Sequence, residues 1–283
     1  MEEKKSYHCG LIGSPVKHSL SPIIHGHFAA QFDMDLEYSL FDTSEEDVEE
    51  TILSFFAGGG TGLNITMPYK NLAYRFCKQH SVISKTTRTV NTVWMGKNHE
   101  LSGDNTDATG FIRDLRHNQK FDAKNKRVLV IGAGGVAQAI IPTLFVQKVG
   151  ELYILNRTMS RAEELVKHYG EKRGAKVLDP DKNKQAFDLI INATSASIYG
   201  TLPNVNSRMI GEHTYCVDLA YTKTSTIFCD WAQENGAERV WDGLGMLIEQ
   251  AADAFGIWFK QRPDTLELYK QRYKLLAGSN SSK

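Results

Sequence analysis

Val128-Leu-Val-Ile-Gly-Ala-Gly-Gly-Val-Ala137 is the stretch whose reading decides the fold. Val128 to Ile131 is an unbroken apolar run, the pattern of a strand buried on both faces of a parallel sheet. Gly132-x-Gly134-x-x-Ala137 follows at once, and a helical pattern then runs from Val136 to Val146. Strand, glycine turn, helix is the order that a dinucleotide pyrophosphate requires. Gly132 makes the tight turn, Gly134 lets the backbone approach the phosphates, and Ala137 lets helix and strand pack closely. The helix N-terminus adds free N–H groups and a positive dipole end. Pro142 falls inside this helix and predicts a kink there.

A glycine pattern alone would equally suit an ordinary βα turn, so the context matters. A second strand-like run, Leu152-Tyr-Ile-Leu155, begins about twenty residues after the first glycine, where a ribose-reading residue is expected. It ends in Asn156-Arg157-Thr158 rather than Asp or Glu, with Ser160 and Arg161 just beyond. A carboxylate would accept from the ribose 2′-hydroxyl of NAD, whereas a 2′-phosphate suits a planar guanidinium. The cofactor read from these residues is NADP (NADPH); the competing use of Arg157 and Arg161 is a solvated helix start.

The chain has 283 residues, enough for two domains. With 33 basic and 33 acidic residues the net charge is zero, so no overall field argues for nucleic acid or an anionic membrane. Cys9, Cys77, Cys216 and Cys229 form no CxxC pair and read as reduced apolar residues of a cytoplasmic chain. The charged start, Met1 to Ser6, lacks the apolar core of a signal peptide, and the polar tail from Gly278 to Lys283 reads as frayed.

Before the glycine loop the pattern is β-α-β-α-β-α, which implies a mostly parallel, helix-covered sheet. Strands are predicted at His8–Ile12, Glu37–Phe41 and Gly62–Thr66, with helices from a Ser21 N-cap to Phe32, from Ser44 to Gly58, and over Asn71–Gln79. A hairpin around Gly96-Lys97-Asn98 and a helix opened by Gly103-Asp-Asn-Thr-Asp107 follow, then a linker over Arg116–Lys126. Later strands are predicted at 127–131, 152–156, 176–178, 187–192, 215–220 and 239–241. Helices are predicted over 160–169, 226–235, 246–259 and 265–276. The fold class is α/β with two domains. Residues 1–107 are expected to form a mostly parallel substrate-binding domain and 108–241 a Rossmann-type NADP-binding domain, with the helices of 242–283 expected to return to the first, an assignment that the family resemblance below implies.

Three clusters precede the glycine loop: Ser19 with Ser21, Asn64-x-Thr66-x-x-x-Lys70, and Asn91 with Asp107. They are neutral hydroxyls and amides plus one Lys and one Asp, groups suited to holding a polyol. Lys70 follows the end of a predicted strand, where open α/β sheets place ligands. A Lys beside an Asp can hold a proton for a developing alkoxide. Taken singly, a lysine placed like Lys70 is mostly a surface helix-start residue, and an N-cap role for Asp107 is at least as common as a catalytic one. His18 and His25 read as hydrogen-bonding structural residues.

Nine motifs in order resemble shikimate dehydrogenase: Gly13-Ser-Pro15 with His18-Ser-x-Ser-Pro-x-x-His25, Asn64-Ile-Thr-x-Pro-x-Lys70, Val90-Asn-Thr92, Gly103-x-Asn-Thr-Asp107, Gly132-x-Gly-Gly135, Asn156-Arg-Thr158, Asn192-Ala-Thr-Ser195, Asp218-x-x-Tyr221 and Gly245-Met-Leu-x-x-Gln-Ala251. The likeness covers nearly the whole chain. It implies NADPH-dependent reduction of 3-dehydroshikimate to shikimate in a hinged cleft between two domains, in the supply of chorismate and aromatic amino acids. By match, Lys70 and Asp107 would be catalytic. Ser19, Ser21, Thr66, Asn91, Tyr221 and Gln250 would contact the substrate. Gly132, Ala133, Gly134, Gly135 and Val136 would hold the pyrophosphate, and Asn156, Arg157, Thr158 and Arg161 the 2′-phosphate side. Thr194 and Ser195, with Gly243 and Met246, would line the nicotinamide side. No metal is implied. The expected partner is a small molecule, with no nucleic acid and no membrane, in a monomer or homodimer.

The chain departs from the family pattern in places. Arg88-Thr89 stands where the family usually has Gly-Ala, Gly26 where it has Asn, Ser197 where it has a glycine, and Lys223 where it has a proline. These put loop geometry, not the reaction, in question. Other readings remain: quinate or dual quinate/shikimate dehydrogenation with NAD, a non-catalytic NADP-binding protein, and a methylene-tetrahydrofolate-type dehydrogenase, which the polyol-type cluster does not suit.

Overall fold

The structure, a computed structural model, describes residues 5–170 and 173–278; the charged start before Lys5 and the polar tail after Gly278 lie outside these. The chain divides into two compact units, one formed by Met1–Phe111 with Leu247–Lys283 and the other by Ile112–Met246.

The first unit is built on β1 (Ser6–Gly13), α1 (Ser21–Ala30), β2 (Asp35–Asp42), α2 (Val48–Ala57), β3 (Gly62–Ile65), α3 (Lys70–Phe76), β4 (Gln79–His80), α4 (Val82–Thr87), β5 (Thr92–Met95), β6 (Leu101–Asp104) and α5 (Asp107–Arg113). Its sheet runs β2-β1-β3-β5-β6-β4. β1 pairs parallel with both β2 and β3, while β5 runs antiparallel to β3 and to β6, so β5 alone is reversed and forms the expected hairpin with β6. Leu63 and Ile65 of β3 are buried with Ile12, Ile52, Phe55, Val90 and Val93 in one apolar cluster. Fully burying a side chain of that size contributes about 1.5–3 kcal/mol. All four residues of β3 are buried. A short strand covered on both faces ends in a fixed place, and Lys70 follows it.

The second unit contains β7 (Arg127–Ile131), α6 (Gly135–Val146), β8 (Glu151–Leu155), α7 (Met159–Leu165), β9 (Ala175–Val177), β10 (Leu189–Asn192), β11 (Tyr215–Asp218), α8 (Ile227–Glu234) and β12 (Arg239–Trp241). Every strand pairing is parallel and the order is β12-β11-β10-β7-β8-β9. Read from β9, this is the 3-2-1-4-5-6 order of a doubly wound dinucleotide-binding sheet, with its topological switch between β7 and β10. Leu129, Ile131, Ile190, Cys216 and Phe228 form its core. α6 continues through Pro142. The chain closes with α9 (Leu244–Phe259), α10 (Leu266–Lys270) and α11 (Arg272–Gly278).

Several predicted boundaries move. Ser21 is the first helical residue rather than the N-cap; the Ser19 hydroxyl accepts from its N–H at 3.2 Å. Ser44 opens a turn, not α2: its hydroxyl donates to Asp47 at 2.6 Å, and the helix begins at Val48. The helix predicted over 71–79 stops at Phe76, and β4 and α4 follow it, capped by the Ser81 hydroxyl, which accepts from Ser84 N–H. Two residues are too short for a strand to show a period. The expected 116–126 linker begins inside a π-helical turn, Asp114–Asn118. The last predicted helix is split at Gln271 into α10 and α11.

Candidate active site

Lys70 opens α3 and Asp107 opens α5, and the two side chains meet. Lys70 Nζ donates to Asp107 Oδ2 at 2.6 Å, with side-chain exposures of 11% and 7%. Asp107 is not the N-cap of its helix: its own N–H is accepted by the Asn105 side chain at 3.0 Å. Its carboxylate is thereby released to face Lys70. The other carboxylate oxygen accepts from Asn91 Nδ2 at 3.0 Å. Both oxygens of Asp107 are therefore held, and the Lys70 ammonium keeps further donors of its own.

Around this pair lies a polar network inside the first unit. Asn91, which is buried, also donates to Thr106 Oγ1 at 3.0 Å and to Gln250 Oε1 at 3.2 Å. Its own Oδ1 accepts from Thr106 N–H and Thr92 Oγ1, both at 2.8 Å. Gln250 Nε2 donates to the Leu247 carbonyl at 3.0 Å, which orients the amide on α9. Gly110 of α5 makes this possible, since a Cβ there would meet the Gln250 backbone N at 2.7 Å. Asn64 Nδ2 donates to the Asn91 carbonyl at 3.1 Å, and Asn64 Oδ1 accepts from the Tyr38 hydroxyl at 2.8 Å. Ser19 donates to Ser21 at 3.1 Å at the start of α1. Thr66 is half-buried, and its methyl lies over Gly13, where a Cβ would be 2.3 Å away. Thr92, Asn105 and Thr106 stand in the quoted motifs but were given no site role, and Tyr38 was not singled out from sequence. Their hydroxyls and amides carry no periodic signal; contacts made in the fold, of Thr92 and Thr106 with Asn91, of Tyr38 with Asn64 and of Asn105 with Asp107, give them a role.

His25 departs from its expected hydrogen-bonding role. It is wholly buried, neither ring nitrogen has a hydrogen-bond partner among the described residues, and it stacks on Tyr38 at 4.6 Å and Trp258 at 5.3 Å. Burial pushes its pKa down to about 3, a nearby Asn64 pulling weakly the other way.

In the second unit Gly132 has φ +115°, its N–H donates to the Leu155 carbonyl at 2.7 Å, and an added Cβ would meet the Ala193 carbonyl at 2.9 Å. Only glycine suits that conformation. Gly134 differs: it is exposed and nothing lies within 4 Å of where its Cβ would be. Gly134 is also the N-cap of α6 and supplies no side-chain cap, so the first N–H groups, near Gly135 and Val136, lack a side-chain partner at the cap. An open approach to an uncapped helix start fits a phosphate. The Asn156 side chain donates to the Thr158 carbonyl at 2.8 Å, shaping the turn that carries Arg157. Arg157 and Arg161 are exposed and make no ion pair among the described residues. Asn192 Oδ1 accepts from Thr194 N–H at 3.1 Å and from its hydroxyl at 2.7 Å. Beneath that turn, buried Asp218 accepts from Asn192 at 3.1 Å, Thr226 at 2.7 Å and Ser197. Burial raises the Asp218 carboxyl above its ordinary range, and these hydrogen bonds oppose it. Ser197, the departure from glycine, thus has a partner. Tyr221 is half-buried beyond β11, and Gly243 packs on Leu219, whose carbonyl a Cβ would meet at 2.2 Å. Met246 is buried. No group of three or more metal-binding side chains occurs among the described residues.

Three family models cover the chain: the shikimate dehydrogenase substrate binding domain over residues 11–93, shikimate / quinate 5-dehydrogenase over 115–223, and the shikimate 5′-dehydrogenase C-terminal domain over 243–271. The chain is 39% identical over 258 residues to a shikimate dehydrogenase (NADP(+)) of Marinobacter nauticus, covering 90% of this chain and 94% of that protein. The chain belongs to the shikimate dehydrogenase family. Among solved members, the Thermus thermophilus enzyme in complex with NADP(H) and shikimate aligns with a TM-score of 0.85 at 28% identity, over 96% of this chain and 99% of that one. A Listeria monocytogenes member in complex with shikimate and NAD aligns at 0.82 and 28% identity, over 94% and 96%. In this chain, the usual family glycine before Val90-Asn-Thr92 is Arg88, which sits at φ +53° as the C-cap of α4. The residue after it, Thr89, is buried and its hydroxyl accepts from Asn105 at 2.6 Å.

No helix among the described residues is long and apolar enough to cross a membrane.

Proposed function

We propose that this chain catalyses the NADPH-dependent, reversible reduction of 3-dehydroshikimate to shikimate, with Lys70 and Asp107 handling the proton. The observation that carries the reading is the 2.6 Å contact of Lys70 with an Asp107 whose other oxygen is held by Asn91.

Ser19, Ser21, Thr66, Asn91, Tyr221 and Gln250 bind the ring hydroxyls and carboxylate. A polyol needs many short neutral donors and acceptors, and Asn64, Asn91, Thr106 and Gln250 supply them in the network that holds Asp107. Their mutual bonds orient them before substrate arrives, which lowers the cost of ordering them on binding. The Lys70 ammonium faces the reacting oxygen and donates a proton as that oxygen becomes a hydroxyl. Asp107 keeps the ammonium in place and offsets its charge. In the reverse direction the same pair takes the proton back.

The 132–136 turn holds the pyrophosphate, Asn156, Arg157, Thr158 and Arg161 the 2′-phosphate, and Thr194, Ser195, Gly243 and Met246 the nicotinamide side. NADPH, when bound, supplies the hydride. Every other contribution is orientation, exclusion of water and a proton. The domain roles follow: the first unit selects the substrate, and the second binds NADP. We place the protein in the cytoplasm as a monomer or homodimer.

The test is spectrophotometric NADP⁺ reduction by the purified chain, with shikimate against quinate and NADP⁺ against NAD⁺. Turnover highest with shikimate and NADP⁺ supports the reading. A preference for quinate and NAD⁺, or cofactor binding without turnover, replaces it.

A further inference from the structure

Gln250 sits on α9 between two carboxylates, Glu249 and Asp253, and one guanidinium answers both. Arg262 donates through Nη2 to Glu249 at 2.5 Å and through Nε to Asp253 at 2.7 Å. Glu249 is 4% exposed, so its charge has been taken out of water and requires a partner. Thr265 adds a hydroxyl to the other Glu249 oxygen at 2.8 Å. The same segment is tied to the end of α1, where Asp264 N–H donates to Gln31 at 2.9 Å and Gln31 donates back to the Asp264 carbonyl at 2.8 Å. Asp253 in turn accepts from the Thr109 hydroxyl at 2.5 Å, and Thr109 lies on α5, just beyond Asp107. Residues 262–265 therefore touch α1 and α9 directly and α5 through Asp253. Those three helices carry Ser21, Gln250 and Asp107.

The geometry of a helix says what this does. Glu249 and Asp253 are one turn apart and share a face, while Gln250 points about 100° away from Glu249. A rigid bridge across 249 and 253 sets the rotation of α9, and with it the point at which Gln250 Oε1 meets Asn91 and Thr106. A lysine could answer one carboxylate but not bridge two with fixed geometry.

We propose that Arg262 is a positioning residue for the substrate side: through Glu249 and Asp253 it sets Gln250, and through Thr109 it supports the helix of Asp107. The inference rests on the roles given above to Gln250 and Asp107.

The test is a double-mutant cycle on shikimate oxidation. Arg262→Met keeps the aliphatic stem and should raise the KM for shikimate about tenfold, with the KM for NADP⁺ changed less than about twofold. In a Gln250→Ala background the same change should move the shikimate KM by less than about twofold, because the group it positions is gone. A purely structural role would multiply through in both backgrounds. Since Arg262→Met strands a buried carboxylate, Glu249→Gln with Arg262→Met is measured beside it; that pair removes the bridge without leaving the charge. Arg262→Lys should recover only part of the KM. An effect of equal size with and without Gln250, or no effect on the shikimate KM in either Arg262 variant, overturns the proposal. A wild type that turns over shikimate while the cycle is additive defeats only this inference; a wild type inactive with shikimate defeats the functional reading and this inference with it.

Discussion

The two units offer their ligands opposite kinds of surface. In the first, Lys70, Asp107, Asn91, Thr106 and Gln250 are already bonded to one another, with Asn91 and Thr106 almost wholly buried. In the second, Gly134 is open, α6 has no side-chain cap, and Arg157 and Arg161 stand exposed. The difference suits the two ligands. A hydroxylated ring must be told from its isomers, and fixed, desolvated side chains do that, because each mismatch leaves a buried group unpaired. A pyrophosphate and a 2′-phosphate are strong charges, which backbone N–H groups and guanidinium forks recognise without burial.

The sharpest way to break that comparison is Lys70→Ala. With the polar network around Asn91 otherwise intact, kcat for shikimate should fall about 10²–10⁴-fold, the usual worth of general acid–base help, while NADP⁺ binding is kept. Steady-state kinetics and a cofactor fluorescence titration read both; turnover near that of wild type would reduce Lys70 to a binding residue. On the open side, Arg157→Ala should weaken NADP⁺ about 10–100-fold, as expected for one lost charge-assisted bond of about 1.5–3 kcal/mol, and leave NAD⁺ nearly unchanged. Equal losses for both cofactors would show that the arginine does not read the 2′-phosphate.

His25 makes the first unit sensitive to acid. Its folded pKa, about 3, lies below its ordinary value of 6.5, so the unfolded chain binds the proton more readily. Its contribution is fully present above pH 6.5 and declines as pH falls toward 3. Between pH 7 and 5 it should cost wild type about 2 kcal/mol of unfolding free energy, a loss that His25→Phe should lack. Urea denaturation at the two pH values measures this, and identical slopes in both proteins would remove His25 from the account. The smallest expected effect concerns Arg88, whose φ of +53° a side chain adopts at a cost. Arg88→Gly should raise stability by about 0.5–1 kcal/mol with kinetics unchanged, read as a higher thermal midpoint.

Legibility differed between the units for the same physical reason. Val128 to Ile131 and Leu189 to Asn192 are strands buried on both faces, so each shows as an apolar run close to its observed bounds. β4 and α4 were invisible because one is two residues long and the other six. Ser21 carries the residue type of an N-cap, yet Ser19 takes the capping contact, a choice between neighbours that propensity does not make.

By itself the sequence determined the α/β class, the glycine turn after β7 and the types of side chain gathered before it. These follow from periodicity and from backbone conformations open only to glycine. It also supplied Lys70, Asp107 and Gln250 as separate residues. Only the tertiary structure decided that they meet: Asn91 and Gln250 are 159 positions apart, and nothing local links them. Their contact depends on the reversed strand β5, on Gly110 allowing α5 and α9 to approach, and on Asn105 capping the helix so that Asp107 is left free to face Lys70.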